Sequence, residues 1–182
     1  MTYHPKLDKI LLRMGDYMKF CSKRLLLTRI ILSLLTISLI IFIFSNSVQT
    51  ARDSSLASGR IMNFLNNICS SLNLKFTFTQ SIVRTLAHFA EFGLLGVLSI
   101  LTFLSFFFIK AKTLILSAVF SVLIALTDEC IQLFSEGRAF QLEDLIIDFT
   151  GSMLCIVSVF FIVLLIRNKK TKIEGSDNGK CS

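Results

Sequence analysis

Four long apolar segments, separated by short polar ones, dominate the hydrophobic pattern of this chain. They cover roughly residues 25–44, 88–109, 114–134 and 145–166, almost half of the 182 residues. A helix needs about 20 predominantly apolar residues to cross a bilayer. Four such segments in one chain therefore predict four membrane spans, and they argue against buried helices in a soluble domain.

A fifth helix is predicted between the first and second spans. Its apolar residues fall at positions 61, 64, 65, 68 and 72, which is helical spacing, and polar residues fill the positions between them. Asp53, Ser54 and Ser55 precede this pattern as candidate helix caps. The predicted fold is thus an all-α integral membrane protein, a bundle of four transmembrane helices with an extra amphipathic outer helix between spans one and two.

Charge placement predicts the orientation of the bundle. The net charge is +7, and residues 1–29 alone carry seven of the 19 Lys and Arg residues. Since basic residues near span ends remain on the cytoplasmic side, both termini are expected in the cytoplasm of a multi-pass membrane protein. We interpret 1–24 as a basic cytoplasmic amphipathic arm, 25–166 as the membrane domain and 167–182 as a basic cytoplasmic tail. Topology and membrane lipids account for the basic charge, so no nucleic-acid partner is predicted.

The polar residues of the spans gather at one predicted depth. With both termini inside, the end of span one, the start of span two, the end of span three and the start of span four all lie in the outer leaflet. An ionisable residue inside an apolar helix is a functional-site hypothesis by default. The predicted polar cluster consists of Ser45, Ser47, Arg84, His88, Glu91, Asp128, Glu129, Gln132, Arg138, Asp144 and Asp148.

The charges of this cluster need compensation. Its carboxylates outnumber its basic groups, so some carboxylates must be protonated, paired with Arg138 or His88, or bound to a cation. We expect Asp128, Asp148 and Arg138 to form one coupled unit; a salt-bridged network that only pins the helix ends is the structural alternative. One histidine does not give the spacing of a zinc site, so no metal or other cofactor is predicted, and a divalent cation is left open. No nucleophile or phosphate-loop motif assigns a catalytic residue.

Five short motifs carry a resemblance to a known family. They are F-S-N-S at Phe44–Ser47, R-T-L-A-H-F-A-E-F at Arg84–Phe92, D-E-C-I-Q-L-F at Asp128–Phe134, G-R at Gly137–Arg138 and D-L-I-I-D-F-T-G at Asp144–Gly151. In this the chain resembles the VanZ-like membrane proteins. The resemblance implies several membrane helices with a polar site near the outer face of a bacterial cell membrane. It also implies a link to resistance against teicoplanin, a lipid-bearing glycopeptide.

Three classes of function remain open at this stage. The first is a resistance factor whose outer-leaflet site binds a lipid, a cell-wall precursor or the lipoglycopeptide itself. The second is an intramembrane enzyme acting on a lipid or polyprenyl-linked substrate, with Asp128 or Glu129 as general base and His88 as acid. The third is a proton- or cation-coupled transporter. The sequence predicts no oligomeric state.

Overall fold

The computed structural model of the chain describes residues 5–107 and 111–178, with side chains over 23–107 and 111–169. Within these residues the chain is entirely helical, which confirms the predicted fold class. The five helices are α1 (Pro5–Ser47), α2 (Ala51–Ser71), α3 (Gln80–Phe106), α4 (Ala111–Leu133) and α5 (Leu142–Asn178).

Four of the helices are long and apolar enough to cross a membrane. The candidate spans are Lys23–Ser47, Gln80–Phe106, Ala111–Leu133 and Leu142–Lys169. Large apolar side chains cover their outer faces and are more than half exposed, as at Leu34 (61%), Ile41 (61%) and Leu165 (67%). Such faces suit hydrocarbon, where a helix satisfies its own backbone hydrogen bonds.

The sequence predicts Thr79 or Ser81 as the cap of the helix that becomes span two, and the structure confirms Thr79. Its side chain accepts a hydrogen bond from the Ile82 amide, so α3 begins eight residues before the predicted span. α1 begins at Pro5 and continues without a break into span one, so the arm is not a separate helix. The first four residues of the arm and the last four of the tail lie outside the described residues, as does 108–110, part of the predicted cytoplasmic turn.

α3 is the central element of the bundle. It contacts all four other helices and packs most extensively against α5. That crossing is close because glycine stands at two contact points. A Cβ on Gly96 would lie 2.5 Å from the Ser152 carbonyl oxygen, and one on Gly151 would lie 2.7 Å from the Phe89 carbonyl oxygen. Small residues allow this close approach where lipid leaves little hydrophobic drive for helix association.

α2 is amphipathic, and its cap is not the predicted one. Thr50 caps it by accepting a hydrogen bond from the Asp53 amide at 3.2 Å, because the chain turns back within three residues of the end of α1. The predicted caps from Asp53 to Ser55 therefore lie inside the first turns. Phe64 is exposed, whereas Ser54, Ser58 and Ile61 line cavities of the bundle.

Candidate functional site

The polar cluster lies at one end of the bundle, as the chain directions predicted. It is assembled from the end of α1, the beginning of α3, the end of α4 and the beginning of α5. Its acidic and amide side chains on α4 and α5 are withdrawn from the surface: Asp128 (1% exposed), Glu129 (0%), Gln132 (0%), Asp144 (6%) and Asp148 (0%). Burial of this many polar groups in so small a bundle calls for partners.

Asp128 connects α4 to α1. Its Oδ1 accepts a hydrogen bond from the Ser47 hydroxyl, and its Oδ2 accepts one from Gln132 Nε2 at 2.8 Å. Gln132 lies one helical turn beyond Asp128, where side chains four residues apart meet. The Asp128 carboxylate is therefore held in place from two helices.

His88 and Asp148 face each other between α3 and α5. His88 Nδ1 lies 3.3 Å from Asp148 Oδ1, and the two side chains are 12% and 0% exposed. The pair lacks hydrogen-bond alignment, and neither oxygen of Asp148 accepts a hydrogen bond from any described residue. Asp148 is thus a fully buried carboxylate with incomplete partners.

The carboxylates of Asp144 and Glu129 also have partners in the cluster. Arg84 Nη2 contacts Asp144 Oδ2 at 2.6 Å and joins α3 to α5. Glu129 Oε2 accepts a hydrogen bond from the Gln141 amide at 2.9 Å, just before α5 begins. A carboxylate at this position satisfies an amide of the helix N-terminus and complements its positive dipole end.

Arg138 has other partners than the predicted ones. Its Nη1 donates to the carbonyl oxygens of Asn46 (3.4 Å) and Ser47 (3.3 Å), and its Nη2 donates to the Ser54 hydroxyl at 3.2 Å. No ion pair joins it to Asp128 or Asp148 in the part of the chain that the structure describes. The predicted direct unit is corrected accordingly: the last carbonyls of α1 need donors, and the guanidinium meets that need.

Burial and neighbouring charges affect the pKa of Arg138. Burial, and then the neighbouring Arg84 guanidinium, lower the pKa of Arg138 from its ordinary value, against the opposing pull of Asp128, Asp144 and Glu129. Two guanidinium groups thus stand near each other at this end of the bundle.

Ser45 is the one predicted serine that the structure leaves outside the cluster. Its exposed hydroxyl donates to the Ile41 carbonyl oxygen at 2.7 Å, within its own helix. Residues two apart on a helix point in different directions, so Ser47 enters the cluster while Ser45 turns away.

Three contributors were not predicted as site residues. Asn46 Nδ2 donates to Glu91 Oε1 at 3.0 Å, and the Ser135 hydroxyl donates to the Ser47 carbonyl oxygen at 2.8 Å. Ser54 was expected only as a cap, although it accepts from Arg138. A signal existed for Asn46, which stands inside the F-S-N-S motif, whereas nothing in the sequence indicated the pairing of Ser54 or Ser135.

Two cavities adjoin the cluster and share Arg84 and Arg138. The larger, of about 390 Å³, is polar and lies between α2, α3 and the turn before α5. The smaller, of about 270 Å³, reaches His88 and Glu91. The larger is lined by Ala51, Ser54, Ser55, Ser58, Gln80, Ser81, Arg84, Gly137, Arg138 and Gln141.

One side-chain group has the donors of a metal site. Single ligand atoms of His88, Asp128 and Asp148 all lie within 4.8 Å of one another. The three residues come from α3, α4 and α5, so the helix packing rather than a local motif brings them together.

These features define a class: a multi-pass α-helical membrane protein with a buried polar cluster at one end of its bundle. The family model of VanZ/LLP1 matches residues 31–165, which include every residue of this cluster. The chain belongs to the VanZ/LLP1 family, in agreement with the resemblance of its motifs. Searches of curated proteins and of solved structures gave no match.

Proposed function

We propose that this protein binds an anionic lipid head group at the polar end of its bundle, in the outer leaflet of a bacterial cell membrane. In this way it contributes to resistance against lipid-bearing glycopeptides such as teicoplanin. The observation that carries the proposal is the pair of arginines between the two cavities. Arg84 and Arg138 line both cavities, and the buried Nε of each lacks a hydrogen-bond acceptor among the described residues.

The chemistry of the larger cavity supports a phosphate-bearing ligand. Guanidinium groups recognise phosphate through paired, charge-assisted hydrogen bonds. The hydroxyl groups of Ser54, Ser55 and Ser58 and the Gln80 amide supply further hydrogen-bonding groups on the same wall. An anion between the arginines would also relieve the mutual repulsion that lowers the pKa of Arg138. Phospholipids and polyprenyl-linked cell-wall precursors share this head-group chemistry.

The surroundings of the cavity suit a ligand with acyl or prenyl chains. α2 carries exposed apolar side chains, with Phe64 at 65% exposure, and so do the spans. A lipid whose head enters the cavity keeps its chains along these faces. Binding of a cell-wall precursor, or of the lipid tail of the drug itself, at this cavity would then change how teicoplanin reaches its target.

A labelling experiment tests the orientation on which this proposal depends. The basic arm and tail predict that both termini lie in the cytoplasm. In intact cells a cysteine introduced at the exposed Asn67 of α2 should react with an impermeant maleimide, while Cys181 should react only after lysis. Labelling of Cys181 in intact cells would reverse the orientation and contradict the proposal.

Susceptibility assays test the function. A strain lacking the gene is complemented with the wild type, with Arg84→Gln combined with Arg138→Gln, or with Arg60→Gln as the matched control. Arg60 is an exposed arginine of α2 that lines neither cavity. At equal membrane levels the wild type and the control should restore growth in teicoplanin, the double variant should not, and vancomycin should discriminate little among them. Full protection by the double variant would overturn the proposal.

One observation favours a second candidate, an intramembrane enzyme acting on a lipid or polyprenyl-linked substrate. His88 is poised beside the buried Asp148 and lines the smaller cavity together with both arginines. A histidine oriented by a carboxylate is a frequent general acid or base. Incubation of the purified protein with a radiolabelled polyprenyl phosphate or pyrophosphate distinguishes the two: release of a product that His88→Ala abolishes indicates catalysis, and unchanged lipid indicates binding alone.

A further inference from the structure

Four buried acceptor atoms of the cluster have no hydrogen-bond donor, beside three unpartnered nitrogens, Arg84 Nε, His88 Nδ1 and Arg138 Nε. Both oxygens of Asp148, Oε1 of Glu129 and Oε1 of Gln132 are buried without a donor among the described residues. A buried polar group without a partner costs about 1–3 kcal/mol, and more when it is charged. The shortage at this place is therefore one of positive charge or of donors.

The three metal-type ligands are already gathered around this shortage. Asp148 is 0% exposed, and its carboxylate, whose one ion-pair partner among the described residues is His88, lies within 4.8 Å of the ligand atoms of His88 and Asp128. Ligands at about 2.0–2.1 Å from a tetrahedral ion lie roughly 3.4 Å apart. A closure of up to about 1.4 Å between ligand atoms, within the reach of side-chain adjustment, would complete such a geometry.

The charge balance points the same way. With His88 neutral and both aspartates ionised, the group holds two negative charges in a nearly dry environment, which is costly unless they are compensated. Arg84 is occupied with Asp144, and Arg138 with the end of α1 and with Ser54. No described basic side chain besides His88 makes an ion pair with Asp128 or Asp148.

We propose that a first-row divalent cation, such as Zn²⁺ or Mn²⁺, binds between His88, Asp128 and Asp148. The mixed nitrogen and oxygen donors suit such ions better than Ca²⁺, which prefers oxygen ligands alone. Ser47 and Gln132 hold the Asp128 carboxylate, as outer hydrogen bonds orient the ligands of metal sites. Three protein ligands leave a coordination position for a water or a substrate oxygen.

The position of the ion would connect it to the smaller cavity. His88 and Ser47 line that cavity together with Arg84 and Arg138. A phosphate oxygen bound near the arginines would be a neighbour of the ion. The cation site itself rests on its three ligands and does not require a lipid.

Cobalt binding tests the proposal directly, because Co²⁺ imitates Zn²⁺ and its visible absorption reports the ligand geometry. The full-length protein is purified, treated with EDTA, placed in nanodiscs and titrated with Co²⁺. The wild type should bind one Co²⁺ per chain with visible bands. His88→Ala and Asp148→Asn should each bind about tenfold or more weakly, as losses around metal sites do.

Two controls make the result specific. His4→Ala removes the other histidine of the chain, and Glu136→Gln removes an exposed acid near the cluster. Both should bind Co²⁺ as the wild type does, whatever the outcome of the susceptibility assay, because the cation site rests on His88, Asp128 and Asp148 alone. Absence of stoichiometric Co²⁺ binding by the folded wild type would overturn the cation site, even if a ligand variant proved unable to fold. Equal binding by the wild type, His88→Ala and Asp148→Asn would overturn it as well.

Discussion

The two ends of the bundle differ in how completely their polar groups are hydrogen-bonded. One end of the bundle contains the start of span one and the end of α3. There Arg29 Nε donates to the Ser105 carbonyl oxygen at 2.8 Å, and the Arg29 guanidinium lies 5.2 Å from the centre of the Phe106 ring. Near it the hydroxyl oxygens of Thr36 and Thr102 lie 3.0 Å apart. At the opposite end, Asp148, Glu129, Gln132 and both arginines retain buried atoms without partners.

This difference separates polar groups that hold helices together from polar groups that are free to bind a ligand. Interhelical packing in lipid needs only small residues and completed hydrogen bonds, which the Thr36–Thr102 contact provides. Buried polar atoms without partners are uncommon, and a set of them at one place needs an explanation. A bound head group would supply acceptors for the two arginines, and a bound cation would compensate the charge of Asp148.

The largest effect on stability is expected from a substitution that disrupts the packing of α3 against α5, which both ends of the bundle share. Gly96→Ala would place a methyl group 2.5 Å from the Ser152 carbonyl oxygen and force α3 away from α5. We expect a loss of about 3 kcal/mol or more in the free energy of unfolding, the upper end for overpacking, because the added methyl group meets backbone atoms. The measurement is thermal unfolding of the purified protein.

Gly59→Ala is the matched control for that variant. Gly59 lies in α2, where an added Cβ would meet no atom within 4 Å, so alanine should be neutral or stabilising by up to about 1 kcal/mol through helix propensity. Equal unfolding temperatures for Gly96→Ala and the wild type would refute the close crossing of α3 and α5.

A smaller effect is expected where Arg138 holds the end of α1. Arg138→Ala removes donors to two carbonyl oxygens and to Ser54, and hydrogen bonds to charged groups contribute about 1.5–3 kcal/mol. Folded protein in the membrane should decrease. Addition of Asp148→Asn should not restore it, since these residues are not paired; restoration would bring back the coupled unit expected from the sequence.

The Arg84–Asp144 pair should contribute less. Its contact is short, but the arginine side chain is one-third exposed, so solvent screens the attraction. A double-mutant cycle with Arg84→Gln and Asp144→Asn should give a coupling of about 1 kcal/mol or below in thermal unfolding. A coupling near zero would show that the contact does not stabilise the fold.

The smallest effect on stability is expected from the two serines of the F-S-N-S motif, Ser45 and Ser47. Ser47→Ala removes a donor to Asp128 and should lower the free energy of unfolding by about 1 kcal/mol. Ser45→Ala removes only a bond to its own helix on an exposed face and should change neither stability nor teicoplanin susceptibility. Equal effects of the two substitutions would contradict the placement of Ser47 inside the cluster.

Sequence reasoning brought the polar residues to one end of the bundle, but it did not predict which partner each charge takes. The directions of four spans were enough to bring His88, Asp128 and Asp148 to one end of the bundle. Which partner each charge takes depends on helix rotation and crossing distance, and these depend on contacts such as that of Gly96 with Ser152. For that reason Arg138 was assigned to the wrong acceptor.

The boundaries of the helices show the same limit. The hydrophobic pattern located every span, yet the cap of α2 is Thr50 rather than a residue within Asp53–Ser55, so that α2 begins at Ala51. Caps are decided by backbone turns, which a pattern of apolar residues does not record.

Thermal unfolding of Asp148→Asn in chelator-treated nanodiscs tests the central claim most directly, namely that the cluster serves a ligand rather than the stability of the bundle. The substitution preserves shape and removes a charge from a fully buried carboxylate that accepts no described hydrogen bond and has only the His88 contact at 3.3 Å as an ion pair. Without a cation the variant should unfold at the same temperature as the wild type or a higher one. A variant that unfolds at a clearly lower temperature would show that the Asp148 charge holds the helices together, which would contradict the claim.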